Sequence, residues 1–133
     1  MKMNKGEVFF GKNNIKGGHP IVYLRDYNED SFIGAMLTTS SNYPDNTLML
    51  EKHFKKKDPT GKKYKLSFNN THLVNTELIK RNAWKPFEKI GELTAEGIKF
   101  VELKISDTNP SLWEDYLSTK NRFSRNYSTL KVK

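Results

Sequence analysis

With 133 residues, the chain is long enough for one domain that buries a real core without metal or disulfide staples. It has no cysteine, which excludes disulfides, thiolate chemistry and cysteine-based zinc sites, and no apolar run approaches the roughly 18 residues that span a bilayer. The net charge is +8, and the excess is local: residues 52–65 carry +6, residues 120–133 carry +5, and the rest therefore sums to −3.

The first half reads as short strands. Gly6-Glu7-Val8-Phe9-Phe10 is β-prone, Gly17-Gly18 marks a turn, and His19-Pro20-Ile21-Val22-Tyr23-Leu24 resumes extended chain. Arg25 to Asp30 reads as a polar turn. Ser31 to Leu37 is an apolar run too short for a typical helix. Asn42-Tyr43-Pro44-Asp45-Asn46 is turn chemistry, after which Thr47-Leu48-Met49-Leu50 returns to strand. Close spacing of short strands between Gly, Pro and Asn turns predicts a small barrel or sandwich.

Residues 51–65 form a lysine-rich loop around Asp58-Pro59-Thr60-Gly61, followed by strand-like segments at Tyr64–Phe68 and Leu73–Lys80. Thr94 is a good helix N-cap, with Glu96 at the positive end of the macrodipole. For Gly97 to Ile105, periodicity fits a helix (Ile98, Val101, Ile105) and a strand (Val101, Leu103, Ile105) equally. A second helix is predicted from about Pro110 to Lys120, capped by Asn109, with Leu112, Trp113, Tyr116 and Leu117 on one apolar face. Residues 121–133 read as a basic tail. One domain is expected, with residues 1–106 as its body and 107–133 as a C-terminal helix and tail.

Concentrated positive charge recruits polyanions through counterion release, although it also serves solubility alone. In the lysine loop, His53-Phe54-Lys55-Lys56-Lys57 and Lys62-Lys63-Tyr64-Lys65 interleave cations with rings. That suits single-stranded RNA, whose backbone lysines track and whose unpaired bases stack on aromatics. The alternative is a solvated loop with Phe54 or Tyr64 tucked into the core. The first residues, Met1 to Glu7, lead into no apolar signal core, so a cytoplasmic protein with no membrane association is expected.

Three patches, in order, resemble the MazF/PemK family of small RNA-cutting toxins. The first is Gly6–Phe10 followed by Gly18-His19-Pro20 and its apolar strand. The second is Leu37-Thr38-Thr39-Ser40-Ser41-Asn42-Tyr43-Pro44. The third is Glu77-Leu78-Ile79-Lys80-Arg81 through Ile90-Gly91-Glu92-Leu93-Thr94-Ala95-Glu96. The resemblance spans roughly residues 6–105, and it implies a mainly β (α+β) fold, a small SH3-like barrel with short helices. It tips residues 95–105 towards helix, reads Gly91-Glu92-Leu93 as a turn, and makes the C-terminal helix and tail additions.

The activity it implies is metal-independent, sequence-specific cleavage of single-stranded RNA by 2′-OH attack, with no cofactor. The partners it implies are an acidic antitoxin protein and a second copy of the chain in a homodimer. The family's arginine before proline is replaced here by His19, whose imidazole titrates near neutrality. His19, Thr38 and Glu77 are the catalytic candidates. Arg25, Thr39, His53, Lys55, Lys56, Tyr64, His72, Lys80 and Arg81 are candidates for holding substrate, with His53 or His72 as a partner acid or base and Arg25 as a substitute guanidinium. Three histidines at 19, 53 and 72 match no common zinc spacing, so no metal is expected.

Overall fold

A computed structural model describes residues 3–11, 19–39, 46–66, 71–81, 87–105 and 110–116. The β-prone segments enter one mainly antiparallel sheet. Its strands are β1 (Glu7–Gly11), β2 (Ile21–Asn28), β3 (Ser31–Thr38), β4 (Asn46–Leu48), β5 (His72–Arg81), β6 (Phe87–Glu92) and the two-residue β7 (Ser111–Leu112). The order across the sheet is β4-β5-β3-β2-β1-β6, and β7 adds to β5 in parallel beyond the end of β4.

All eight residues of β3 are buried, which explains why its sequence is a continuous apolar run rather than an alternating one. On one face, Ile33, Ala35 and Leu37 join Val8, Val22, Leu73 and Val101. On the other, Phe32 and Met36 join Phe9, Tyr23, Leu78, Phe87 and Trp113. The first face is closed by helix α1 (Ala95–Lys104) and the 3-10 turn Glu51–His53.

Helix is the state adopted by residues 95–104, the segment in which periodicity fitted two structures. Thr94 decides it: its side chain accepts from the Gly97 amide at 3.0 Å, while its own hydroxyl donates to the Lys52 carbonyl at 2.8 Å. Gly97 is required here. A Cβ on it would stand 2.2 Å from the His53 carbonyl oxygen, so α1 packs against the 3-10 turn by backbone approach.

Several sequence expectations need correction. Arg25 to Asn28 are not a turn but the exposed second half of β2, held in register by Arg25↔Ile33, Asp26↔Phe32 and Asn28↔Ser31. Gly91 and Glu92 are not a turn either; they pair with Val8 and Glu7 of β1 within β6. Tyr64 to Leu66 form no named strand, though the Leu66 amide donates to the Ile90 carbonyl. The helix expected from Pro110 begins later. Ser111 and Leu112 pair with Leu78 and Ile79, and residues 113–116 are helical, with Trp113 fully buried. The turns at Gly17-Gly18 and 42–45, the cap Asn109, residues 117–120 and the basic tail 121–133 lie outside the described residues.

Among the described residues the sheet does not close, because β4 and β6 do not pair with each other. The lysine-rich segment instead runs from one edge to the other. It leaves β4 and reaches β6 through an isolated bridge, Phe54↔Leu93, and the Lys55 amide donates to the Glu92 carbonyl at 2.9 Å. No helix among the described residues is long and apolar enough to cross a membrane.

Gly97→Ala forces the turn and α1 apart, so the variant is expected to unfold at lower urea concentration, by about 2 kcal/mol. An unchanged midpoint would show that the joint yields without cost.

Candidate functional site

Hydrogen-bond register places four residues in one row at an end of the sheet. Ile21 pairs with Met36, and the Leu37 amide donates to the Pro20 carbonyl at 2.9 Å. Continuing by one residue sets His19 opposite Thr38. Thr38 pairs with His72 on β5, and His72 pairs with Leu48 on β4. The row therefore reads His19, Thr38, His72, Leu48. Directly opposed residues share a face of the sheet, so the two imidazoles flank a threonine with their backbones about 10 Å apart, two strand spacings. His19 and His72 are half-buried, and Thr38 is 6% exposed. Thr39, just past the strand, is exposed, so the threonine pair divides into one buried and one accessible hydroxyl.

Glu77 is not in this group. It stands five residues along β5 from His72, about 16 Å in a strand, and opposite Ala35 rather than Thr38. Its carboxylate pairs with the Arg25 guanidinium at 2.7 Å. Arg25 sits six residues beyond His19 along the β2 direction, opposite Ile33, so it does not fold back to supply a cation near His19. The polar half of β2 continues the ladder instead of turning, which keeps Arg25 at the Glu77 end of the sheet.

Lys80 and Arg81 lie at that same far end of β5. Lys80 is 2% exposed, with its ammonium 4.2 Å from the centre of the Trp113 ring. Burial pushes its pKa down to about 8, against the attraction of the Glu114 carboxylate. It is a core residue in a cation–π contact and not a surface phosphate ligand. Arg81 is exposed and faces Glu114 at 3.9 Å.

His53 also belongs to the core. It is 2% exposed, its Nδ1 accepts from the Leu50 amide at 2.9 Å, and its ring stacks on Phe100 with centroids 4.2 Å apart. Burial, followed by the nearby Lys52 ammonium, lowers its pKa and keeps it neutral. It holds the 3-10 turn to α1 and is not placed to touch RNA.

The lysine loop is less positive than its own sequence suggests. Lys52 pairs with Glu96, Lys55 with Glu92, Lys56 with Glu51 and Lys65 with Glu88. Setting those four carboxylates against the segment's +6 leaves +2, concentrated near Lys57, Lys62 and Lys63. Lys57 and Lys63 form an isolated bridge around the turn that Asp58 organises by accepting from the Thr60 and Lys62 amides. Tyr64 is half-buried and donates to Glu92 at 2.9 Å, beside the Lys89 ammonium. Counting charge by segment missed these acids, which come from β6, α1 and the turn.

Leu48 closes the row at the β4 edge. It is 49% exposed and Leu50 is 48% exposed, while Met49 between them is buried. The sequence shows only an apolar run over Leu48, Met49 and Leu50, and which of them faces outward depends on the neighbouring strands. No group of three or more His, Asp or Glu suited to a metal occurs among the described residues.

Comparison with family models, with curated proteins and with solved structures returns no match for this chain.

Because the folded protein holds His53 with a lowered pKa, the unfolded chain binds its proton more readily. Stability is then fully present above the ordinary value of 6.5 and falls as pH drops through the folded pKa. Thermal melts are expected to show this loss as the pH falls below 6.5, and His53→Gln is expected to flatten it. Equal slopes in both proteins would remove His53 as the cause.

Proposed function

We propose that this chain is an endoribonuclease on a small SH3-like barrel, similar in kind to MazF/PemK toxins, that cuts single-stranded RNA by 2′-OH attack. The observation that carries this reading is the row His19, Thr38, His72, with two imidazoles on either side of a hydroxyl-bearing strand end. Cleavage needs one group to accept the proton from O2′ and another to donate a proton to O5′. Attack forms the bond from O2′ to phosphorus and breaks the bond to O5′. The products are a 2′,3′-cyclic phosphate and a free 5′-hydroxyl. His19 and His72 take the two proton roles, and the protonated imidazole also offsets the phosphorane charge. Thr39, the exposed member of the threonine pair, follows Thr38 at the strand end.

The lysine-rich segment supports the same reading. Its net positive charge lies near Lys57, Lys62 and Lys63, where it draws the backbone of a bound strand. An acidic antitoxin segment and a second copy of the chain are the partners this reading implies. A second reading, a non-catalytic nucleic-acid-binding module, is favoured by one observation: the Arg25–Glu77 pair keeps a family-type carboxylate away from the row.

Purified protein incubated with long single-stranded RNA in EDTA is expected to produce ends bearing 2′,3′-cyclic phosphate. His19→Ala and His72→Ala are each expected to lower the rate 100-fold or more, at the lower end of general acid–base effects. Glu77→Ala, by contrast, should change it less than about threefold, since its nearest partner is structural. Salt-sensitive binding without cleavage, or full activity in both histidine variants, would contradict the nuclease reading.

A further inference from the structure

Beyond Tyr23, β2 has a neighbour on one side only. β1 pairs with it at Phe9↔Ile21 and Val8↔Val22, and the last bond between them runs from the Gly6 amide to the Tyr23 carbonyl at 2.9 Å. There the N-terminal chain turns away. Gly6 has a φ of 92°, and the Glu7 amide donates to the Asn4 carbonyl at 3.0 Å. β2 continues to Asn28, held by β3 on its other side. Arg25 to Asn28 are all exposed, and among the described residues no strand pairs with their outer edge. Such an edge presents N–H and C=O groups as a template for one more strand.

Charge decides what that strand is. Residues 25–30 hold three carboxylates, Asp26, Glu29 and Asp30, and one cation, Arg25, which already pairs with Glu77 at 2.7 Å. Asp26 accepts from the Tyr23 hydroxyl, a neutral donor that leaves the carboxylate its charge. An acidic rim on a chain of net charge +8 repels RNA phosphate, an acidic peptide and a second copy of the same edge. It favours a cationic polypeptide strand. Tyr27, 54% exposed, adds ring surface that an aliphatic cross-strand neighbour covers.

The chain carries such a segment at its own end. Residues 120–133 hold five Lys/Arg and no Asp, Glu, Gly or Pro. Within them, Ser128-Thr129-Leu130-Lys131-Val132-Lys133 is β-prone and alternates Leu130 and Val132 with Thr129, Lys131 and Lys133. The chain also has the reach. β7 runs parallel to β5, and Glu114 just beyond it faces Arg81 at 3.9 Å. Arg81 pairs with Ser31 and Ser31 with Asn28, so this end of β5 lies two strand spacings, about 10 Å, from the end of β2. Residues 117–127, fully extended, cover roughly 36 Å.

We propose that residues 128–133 dock in their own molecule as an added strand on the outer edge of Arg25–Asn28, with Lys131 and Lys133 against the carboxylates of Asp26, Glu29 and Asp30. The inference does not depend on the nuclease reading. It holds the basic C-terminal segment at the Arg25–Glu77 end of the sheet, away from the row of His19, Thr38 and His72.

Amide hydrogen exchange followed by NMR on the full chain tests it. The amides of Arg25–Asn28 that do not donate to β3 are expected to exchange on the order of tenfold more slowly in wild type than in Leu130→Pro, whose proline cannot complete a ladder. Reversing the charges with Lys131→Glu and Lys133→Glu is expected to remove the same protection, and added salt to weaken it in wild type. Amides of β3 report on folding, and their exchange is expected to stay the same in every variant. Fast exchange along Arg25–Asn28 in wild type, or protection that survives in Leu130→Pro, would overturn the proposal. Protection that rises with protein concentration alongside a dimer mass would also overturn it, assigning the added strand to a second copy of the chain.

Discussion

Burial of β3 on both faces is the constraint from which the other elements take their positions. A strand covered on two sides cannot alternate, and Ser31 to Thr38 accordingly runs Phe-Ile-Gly-Ala-Met-Leu between its polar ends. One cover is α1 with the 3-10 turn, locked by the Thr94 cap and the bare backbone of Gly97. The opposite cover includes Trp113, seated over Lys80. β3 also lies between β2 and β5, so the same constraint brings His19 and His72 to either side of Thr38.

Charge follows the architecture as closely as the core does. The segment that crosses from the β4 edge to the β6 edge is rich in lysine, and β6 and α1 meet it with glutamates. Exposed pairs of this kind each contribute little, about 0–1 kcal/mol. Their consequence is electrostatic: they leave the loop a modest cation, strongest at its turn. Glu92 is the best-connected of them, accepting from Lys55, Tyr64 and Lys89. Burial alone would raise its pKa; those hydrogen bonds outweigh it and hold the carboxyl below its ordinary range.

Local signals in the sequence were sufficient for β1, β3, β4, β5 and the Thr94 cap, because each depends on propensity or capping chemistry within a few residues. The polar half of β2 was not legible. Arg25-Asp26-Tyr27-Asn28 looks like a turn until β3 is available to pair with it. Ser111-Leu112 became strand for the same reason, since β5 had an open edge beyond β4. At the site, His19 and Thr38 were candidates from residue order, while the grouping of Thr38 with His72 is a matter of register. Burial removed His53 and Lys80 from the surface, and no pattern of charge or spacing distinguishes a buried histidine or lysine from an exposed one.

The central claim is that the His19–Thr38–His72 end of the sheet receives the RNA phosphate. NMR titration of labelled protein with a non-cleavable single-stranded oligonucleotide in EDTA tests it directly. The largest shifts are expected at the imidazoles of His19 and His72, the Thr39 amide and the Leu48 methyls, with smaller ones along the lysine segment. Shifts confined to the Lys57–Lys63 turn or to the Arg25–Glu77 end, with both imidazoles unmoved, would contradict it.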